Sequence, residues 1–207
     1  MPTSKLLVLG TTNRGKALEL VDLLAPAGLT IRTLADFPPV LNVDETGDSF
    51  AANAELKAST QARHLGQWVL GEDSGIVVDA LGGAPGIYSA RYAGPQSTDR
   101  ENNDKLLADL ADTPADRRTA HYVCQMALAD PSGTIRVACD GECHGRIRRQ
   151  PAGTAGFGYD PLVEIIEYGR TCAELGELVK SVLSHRARAA EALLPRLLEL
   201  VDTGAFG

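Results

Sequence analysis

Cysteine is scarce in this 207-residue sequence: four residues, at 124, 139, 143 and 172. That is no disulfide framework for a chain of this size, so reduced thiols are expected. Long hydrophobic runs are missing too; none approaches the ~18–20 residues of a membrane span. Residues 1–10 (MPTSKLLVLG) hold one Lys and a short apolar stretch, which reads as too short for a signal peptide. Positive charge is in deficit, with 20 Lys and Arg against 27 Asp and Glu and a formal net charge of −7. Such a chain is poorly suited to coating nucleic acid or an anionic membrane. Internal repeats, low-complexity stretches and linkers are also missing. What remains is an ordinary balance, 44% hydrophobic and 23% charged, which excludes long disorder. The expectation is a soluble cytoplasmic protein, with residues 1–207 forming one domain or two lobes that share a core.

The pattern alternates strand and helix, which argues for an α/β fold. Residues 5–9 read as a buried strand ending at Gly10. Residues 13–25 read as a helix with Ala17, Leu20, Val21 and Leu24 on one stripe, capped by Thr12 or Asn13 and stopped by Pro26. A second helix is expected over 49–65, opened by Asp48 or Ser49 and closed by Gly66. Residues 67–79 read as strand, sharp turn at Ser74-Gly75, strand. Thr98-x-x-Glu101 is a capping box for a helix over 98–110, carrying Leu106, Leu107 and Leu110. Two strands, 118–129 and 134–143, flank a hairpin turn at Asp130-Pro131-Ser132-Gly133. A Gly- and Pro-rich loop covers 150–161, and 184–202 reads as a helix kinked at Pro195.

Several polar clusters interrupt this scaffold. TTNRGK (11–16) joins a strand to a helix N-terminus, where free N–H groups and the helix dipole favour an anion and Arg14 and Lys16 add charge. It lacks the GxxxxGK[ST] spacing of a P-loop, and a plain polar cap would look the same. Asp44-Glu45 and Glu72-Asp73-Ser74 are acidic. Adjacent carboxylates repel, which a Mg²⁺ ion would relieve, although a solvated acidic turn would also do so. Asn53 and Lys57 are polar residues on the 49–65 helix stripe; Lys57 either pairs with those acids or snorkels to solvent. GFGYDP (156–161) sets Phe157 and Tyr159 around Gly158, suited to stacking on a planar base or to plugging the core, and Asp160 could read ring N–H groups. Lys180 precedes Ser184-His185-Arg186, where Ser184 reads as an N-cap and His185 and Arg186 set cations in the first helical turn against the dipole, a conflict that a bound anion, a base carbonyl or solvent exposure would relieve. Cys139-x-x-x-Cys143-His144 is too sparse for a zinc site, and Arg146, Arg148 and Arg149 read as a solvated basic loop.

Together these clusters resemble the inosine triphosphate pyrophosphatase family, hydrolases of non-standard purine nucleoside triphosphates. TTNRGK is similar to the family's T-x-N-x-x-K signature. DETGDSFAANAELKA (44–58) resembles its acidic-Thr-Gly segment and Phe-x-x-Asn-Ala-x-x-Lys helix. EDSGIVVDALGGAPGIYSARYAG (72–94), GFGYDP, Lys180 and SHRARA (184–189) follow in the family's order. The resemblance runs from about residue 7 to 190.

It implies a mixed, elongated central sheet flanked by helices, with two lobes around a deep substrate cleft. It also implies hydrolysis of ITP, dITP or XTP to the monophosphate and pyrophosphate with Mg²⁺. Thr11, Thr12, Asn13, Arg14, Gly15 and Lys16 would hold the triphosphate. Asp73 would be both a metal ligand and the base that activates water, with Asp44 as the second metal carboxylate and Lys57 supporting the phosphate site. Ser74 would touch substrate. Phe157, Gly158, Tyr159 and Asp160 would form the base pocket, with Phe157 or Tyr159 stacking. Lys180, His185 and Arg186 would read the purine, the last two through its 6-position oxygen. Family members are usually homodimers. The sequence departs from the usual Asp-Asp-Ser-Gly by Glu72, and from the usual Glu by Asp44, with Glu45 beside it. Residues 44–80 carry seven acids against two bases, a net −5 of the chain's −7, so most of its net negative charge lies where the metal is expected.

Overall fold

Alternating burial along a strand decides which helices can cover it. The computed structural model describes residues 5–206. Strand β1 (Leu6–Leu9) buries Leu7, Val8 and Leu9. Neighbouring side chains point to opposite faces, so Leu7 and Leu9 share one face and Val8 takes the other. On the first face they join helix α1 (Arg14–Leu24) through Ala17, Leu20 and Leu24. On the second, Val8 joins helix α2 (Phe50–Leu65) through Ala54, Ala58 and Ala62. Strand β2 (Thr30–Thr33) and strand β3 (Trp68–Val78) pair with β1 in parallel, as expected where helices cover both faces.

The remaining elements are α3 (Asp99–Asp109), β4 (Thr119–Ala129), β5 (Ile135–Ile147), β6 (Val163–Ile165), β7 (Arg170–Thr171), α4 (Cys172–Leu175), α5 (Glu177–Leu183) and α6 (His185–Asp202). One seven-stranded sheet runs β2-β1-β3-β4-β5-β6-β7. The β5–β6 and β6–β7 pairs are antiparallel, so the sheet is mixed, as the resemblance implies.

The chain divides into two compact units. The first comprises Met1–Asp73, Cys124–Gly141 and Arg186–Gly207, and the second Ser74–Val123 and Glu142–His185. The first unit's larger core cluster gathers Leu7, Leu9, Leu20, Leu24, Leu70, Met126, Leu193 and Leu197. Its single Trp, Trp68, stacks on Phe206 with ring centroids 4.4 Å apart. The second unit packs Ile76, Val78, Leu106, Leu110, Tyr122, Leu162 and Val163 together. No helix among the described residues is long and apolar enough to cross a membrane.

Most local signals hold. Asn13 caps α1, Ser49 caps α2, and Gly66 closes α2 in the left-handed conformation. Thr98 and Glu101 make both halves of the capping box at α3. The tight turn at 130–133 is present, with Gly133 N–H donating to the Asp130 carbonyl. One expectation fails outright. There is no turn at Ser74-Gly75, because β3 runs straight through it. A turn would have pulled Ile76 and Val78, both fully buried, out of the sheet, and their burial outweighs the local preference of Ser-Gly for a bend. Val21, placed on the buried stripe of α1, is exposed, which leaves Ala17, Leu20 and Leu24 to face the core.

Gly71, in the middle of β3, lets α2 approach closely. A Cβ there would lie 2.2 Å from the Ala54 carbonyl oxygen and 2.6 Å from the Ala58 nitrogen. Only a strand with no side chain at that point admits the helix backbone so near.

Candidate active site

That close approach brings α2 directly over Asp73, which shares a strand face with Gly71. Asn53 and Lys57 lie one turn apart on α2 and both reach Asp73. Lys57 Nζ is 2.9 Å from Asp73 Oδ1 and 2.9 Å from Glu45 Oε1, so it bridges two carboxylates. Asn53 Nδ2 donates to Asp73 Oδ2 at 3.3 Å, while its Oδ1 accepts the N–H of Gly47 at 2.8 Å. Lys57 therefore pairs with the acids instead of snorkelling. Burial pushes the Asp73 carboxyl above its usual range, against the pull of Lys57 and Lys16. Burial works to lower the ammonium of Lys57, but Asp73 and Glu45 outweigh it and hold Lys57 above its ordinary value. Asp44, expected as a metal carboxylate, is exposed and makes no ion pair among the described residues. Its neighbour Glu45 points to Lys57 instead.

A second carboxylate, Glu72, pairs with two further cations of this unit, Lys16 and Arg186. Glu72, 1% exposed, lies 3.0 Å from Lys16 Nζ and 3.0 Å from Arg186 Nη2. Arg186, 2% exposed, also pairs with Glu19 through Nη1. Burial works against the charge on Arg186, yet Glu72 and then Glu19 keep its pKa above the usual value. The conflict between Arg186 and the helix dipole is thus relieved by protein carboxylates rather than by solvent. In the 11–16 loop, Asn13 Oδ1 accepts the N–H of Lys16, Thr11 Oγ1 accepts the N–H of Asn13, and Thr12, Asn13 and Arg14 are exposed. Gly15 stands in the first turn of α1. This exposed helix N-terminus can receive an anion.

The second unit holds the aromatic loop. Asp160, 5% exposed, accepts from Phe157 N–H at 3.1 Å, from Lys180 Nζ at 2.9 Å and from the Tyr122 hydroxyl at 3.2 Å. Gly156 has φ +77°, and a Cβ there would lie 2.0 Å from Asp160 Oδ2, so this corner admits only glycine. Gly158 is held at both ends by α3, its N–H donating to Asp99 at 2.7 Å and its carbonyl accepting from Asn103 at 2.9 Å. The two aromatics differ. Tyr159 is buried, with its hydroxyl donating to the Ser89 carbonyl at 2.8 Å, and is a core residue. Phe157 is half-buried, with Lys180 Nζ over its ring 5.0 Å from the centre. His185 is buried, stacked on Tyr122. Ser74 follows Asp73 on β3 and is half-buried.

Cys143 and His144 are successive residues of β5, one buried and one exposed, so they point to opposite faces and cannot share a zinc ion. The basic run stays at the surface, with Arg146 and Arg149 exposed, and Arg146 and Arg148 also form ion pairs there. Arg146 lies 2.6 Å from Glu164, and Arg148 lies 3.1 Å from Glu174. Sequence reasoning missed Glu19, Asp99, Asn103 and Tyr122. Their partners lie 38 to 167 residues away, beyond any local spacing signal.

The Ham1 family model matches residues 7–196, and the chain belongs to that family. A dITP/XTP pyrophosphatase from Rhodopirellula baltica is 50% identical over 199 residues, 96% of each chain. Another from Streptomyces avermitilis is 48% identical over 94% of this chain and 98% of the relative. The structure of a HAM1 protein from Coxiella burnetii matches with a TM-score of 0.86 at 36% identity, covering 94% of this chain and 98% of that one. A nucleoside-triphosphatase / dITP/XTP pyrophosphatase from Mycobacterium abscessus matches with a TM-score of 0.75 at 41% identity, over 93% and 99%. The family read from the motifs is therefore the family found.

Proposed function

We propose that this protein hydrolyses non-standard purine nucleoside triphosphates, dITP, ITP, XTP and dXTP. It cleaves the α–β anhydride, gives the monophosphate and pyrophosphate, and removes these nucleotides from the pool. The observation that carries the reading is the buried Asp73 held by Lys57 and Asn53. A carboxylate fixed at two oxygens and raised by burial is suited to accept a proton from an attacking water. The dITP/XTP pyrophosphatases at about half identity support the substrate class.

Each cluster has its task. The 11–16 loop receives the triphosphate, where Lys16 exchanges Glu72 for phosphate oxygens. Lys57 offsets charge beside Asp73. Ser74 touches substrate. Phe157 stacks on the base, while Asp160, Lys180 and His185 read its edge. A donor aimed at a 6-oxo group meets an adenine amino group as donor against donor, which disfavours ATP. Arg186 has its terminal nitrogens on two carboxylates and is assigned to holding Glu72 and Glu19 in place.

The donor set also suits a hard cation. Asp73 and Glu45 converge on Lys57 as paired carboxylates, and Mg²⁺ is commonly held by one or two carboxylates plus substrate phosphate oxygens. Among the described residues no group of three or more His, Cys, Asp or Glu could form an all-protein cage. Asp73 with Glu45 would hold Mg²⁺, which when bound neutralises charge on the triphosphate.

The test is pyrophosphate release from ITP, dITP, XTP, GTP, ATP and dUTP, each with and without Mg²⁺. Release from the first three, well above the last three and dependent on Mg²⁺, is expected. Equal turnover of all six, or none, overturns the reading. A homodimer and a cytoplasmic setting belong to the same proposal, tested by light scattering and cell fractionation.

A further inference from the structure

Two of the base-reading residues of the second unit, Asp160 and His185, meet at one buried side chain with no role so far. Tyr122, on β4, is 7% exposed. Its ring stacks on the imidazole of His185, with centroids 4.7 Å apart and planes 15° from parallel. Its hydroxyl donates to Asp160 Oδ1 at 3.2 Å. The other oxygen of Asp160 takes Lys180 and the N–H of Phe157. Burial, with the nearby charge of Asp160, pushes the Tyr122 hydroxyl far above its ordinary range, so it stays a donor at any working pH. A small cavity of about 20 Å³ adjoins Tyr122, Asp160, Lys180 and His185. Truncating Tyr122 would enlarge that space and leave His185 and Asp160 room to turn.

We propose that Tyr122 is a positioning residue for purine recognition: its stack on His185 and its hydrogen bond to Asp160 fix the two groups that tell a 6-oxo base from a 6-amino base. The proposal rests on the reading that His185 and Asp160 face the base. Hydrogen bonds weaken steeply with misalignment, so a reader free to rotate loses selectivity before it loses binding altogether. Tyr122 acts through these two residues and does not need to touch the reacting atoms.

The experiment compares Tyr122→Phe, Tyr122→Leu and His185→Ala with the parent enzyme. It measures kcat and KM for ITP and ATP, alongside thermal denaturation. Tyr122→Phe keeps the ring and removes the hydrogen bond, so the ITP-over-ATP ratio of kcat/KM should fall about 3- to 10-fold. Tyr122→Leu removes both and should lower the ratio about 10- to 100-fold, mainly through KM for ITP. A purely structural role would lower Tm and depress both substrates alike, leaving the ratio intact. If His185→Ala collapses the ratio and neither Tyr122 variant moves it, the Tyr122 proposal alone falls. If His185→Ala leaves the ratio unchanged, the base reading falls with it. Should Tyr122→Leu fail to fold, Tyr122→Phe decides, since it removes a single oxygen.

Discussion

Asn103 holds the carbonyl of Gly158 at 2.9 Å across 55 residues of sequence. One helical turn earlier, Asp99 accepts the N–H of the same glycine at 2.7 Å. The loop is thereby held at Gly158, one residue from Phe157, in addition to the bonds that Asp160 and Tyr159 make. Asn103→Ala should cost about 0.5–1.5 kcal/mol of stability, the usual worth of one such bond. It should raise KM for ITP several-fold while kcat changes less. Steady-state kinetics with urea denaturation check both; an unchanged KM would remove the clamp from substrate binding.

Glu45 and Asp44 are neighbours with opposite surroundings, so they make a clean comparison. Glu45→Gln removes one of the two carboxylates bridged by Lys57 and should lower kcat/KM by about 10- to 100-fold, with a higher Mg²⁺ requirement. Asp44→Asn, at an exposed position without an ion pair among the described residues, should stay within about 3-fold of the parent. The reverse order would return the metal carboxylate to Asp44.

Gly71→Ala places a methyl group 2.2 Å from a backbone carbonyl oxygen that has no flexible end to yield. Overpacking of this kind typically costs about 1–3 kcal/mol and shifts the backbone. Here the backbone that must shift is α2, which carries Asn53 and Lys57. The substitution should therefore lower stability and turnover together, whereas Ala54→Gly should lower stability with a smaller loss of turnover. Denaturant midpoints and pyrophosphate release on the same samples separate the two effects.

The Cys139 thiol is pushed up to about 11, chiefly by burial, with Asp140 adding to it. The thiolate is the reactive form. At pH 8 the group lies on the protonated side, and its thiolate fraction grows about tenfold per pH unit up to that value. Alkylation of Cys139 in the folded protein should therefore be slow at pH 8 and climb steeply to pH 9, followed by peptide mass mapping. A rate already level between pH 7 and 9 would contradict the assigned burial.

The helices were legible wherever a cap and an apolar stripe coincided, as at Asn13, Ser49 and Thr98. The candidate site was legible as clusters, because each cluster is nearly continuous in sequence. What stayed hidden was which member of a cluster faces what. Tyr159 and Phe157 are both aromatic and two residues apart, yet Ser89 draws one into the core and Lys180 lies over the other. Asp44 and Glu45 differ by one methylene, and only the position of Lys57 separates them. The turn misread at Ser74-Gly75 has the same origin. Local chemistry favoured a bend, and a buried sheet that local chemistry does not report overrode it.

The stack of Trp68 on Phe206 gives the first unit its own optical reporter. With one tryptophan in the chain, emission excited beyond the absorption of the five tyrosines has a single source, and Phe206 covers it. A shift in that emission therefore reads the seating of Phe206 on Trp68 without any introduced label.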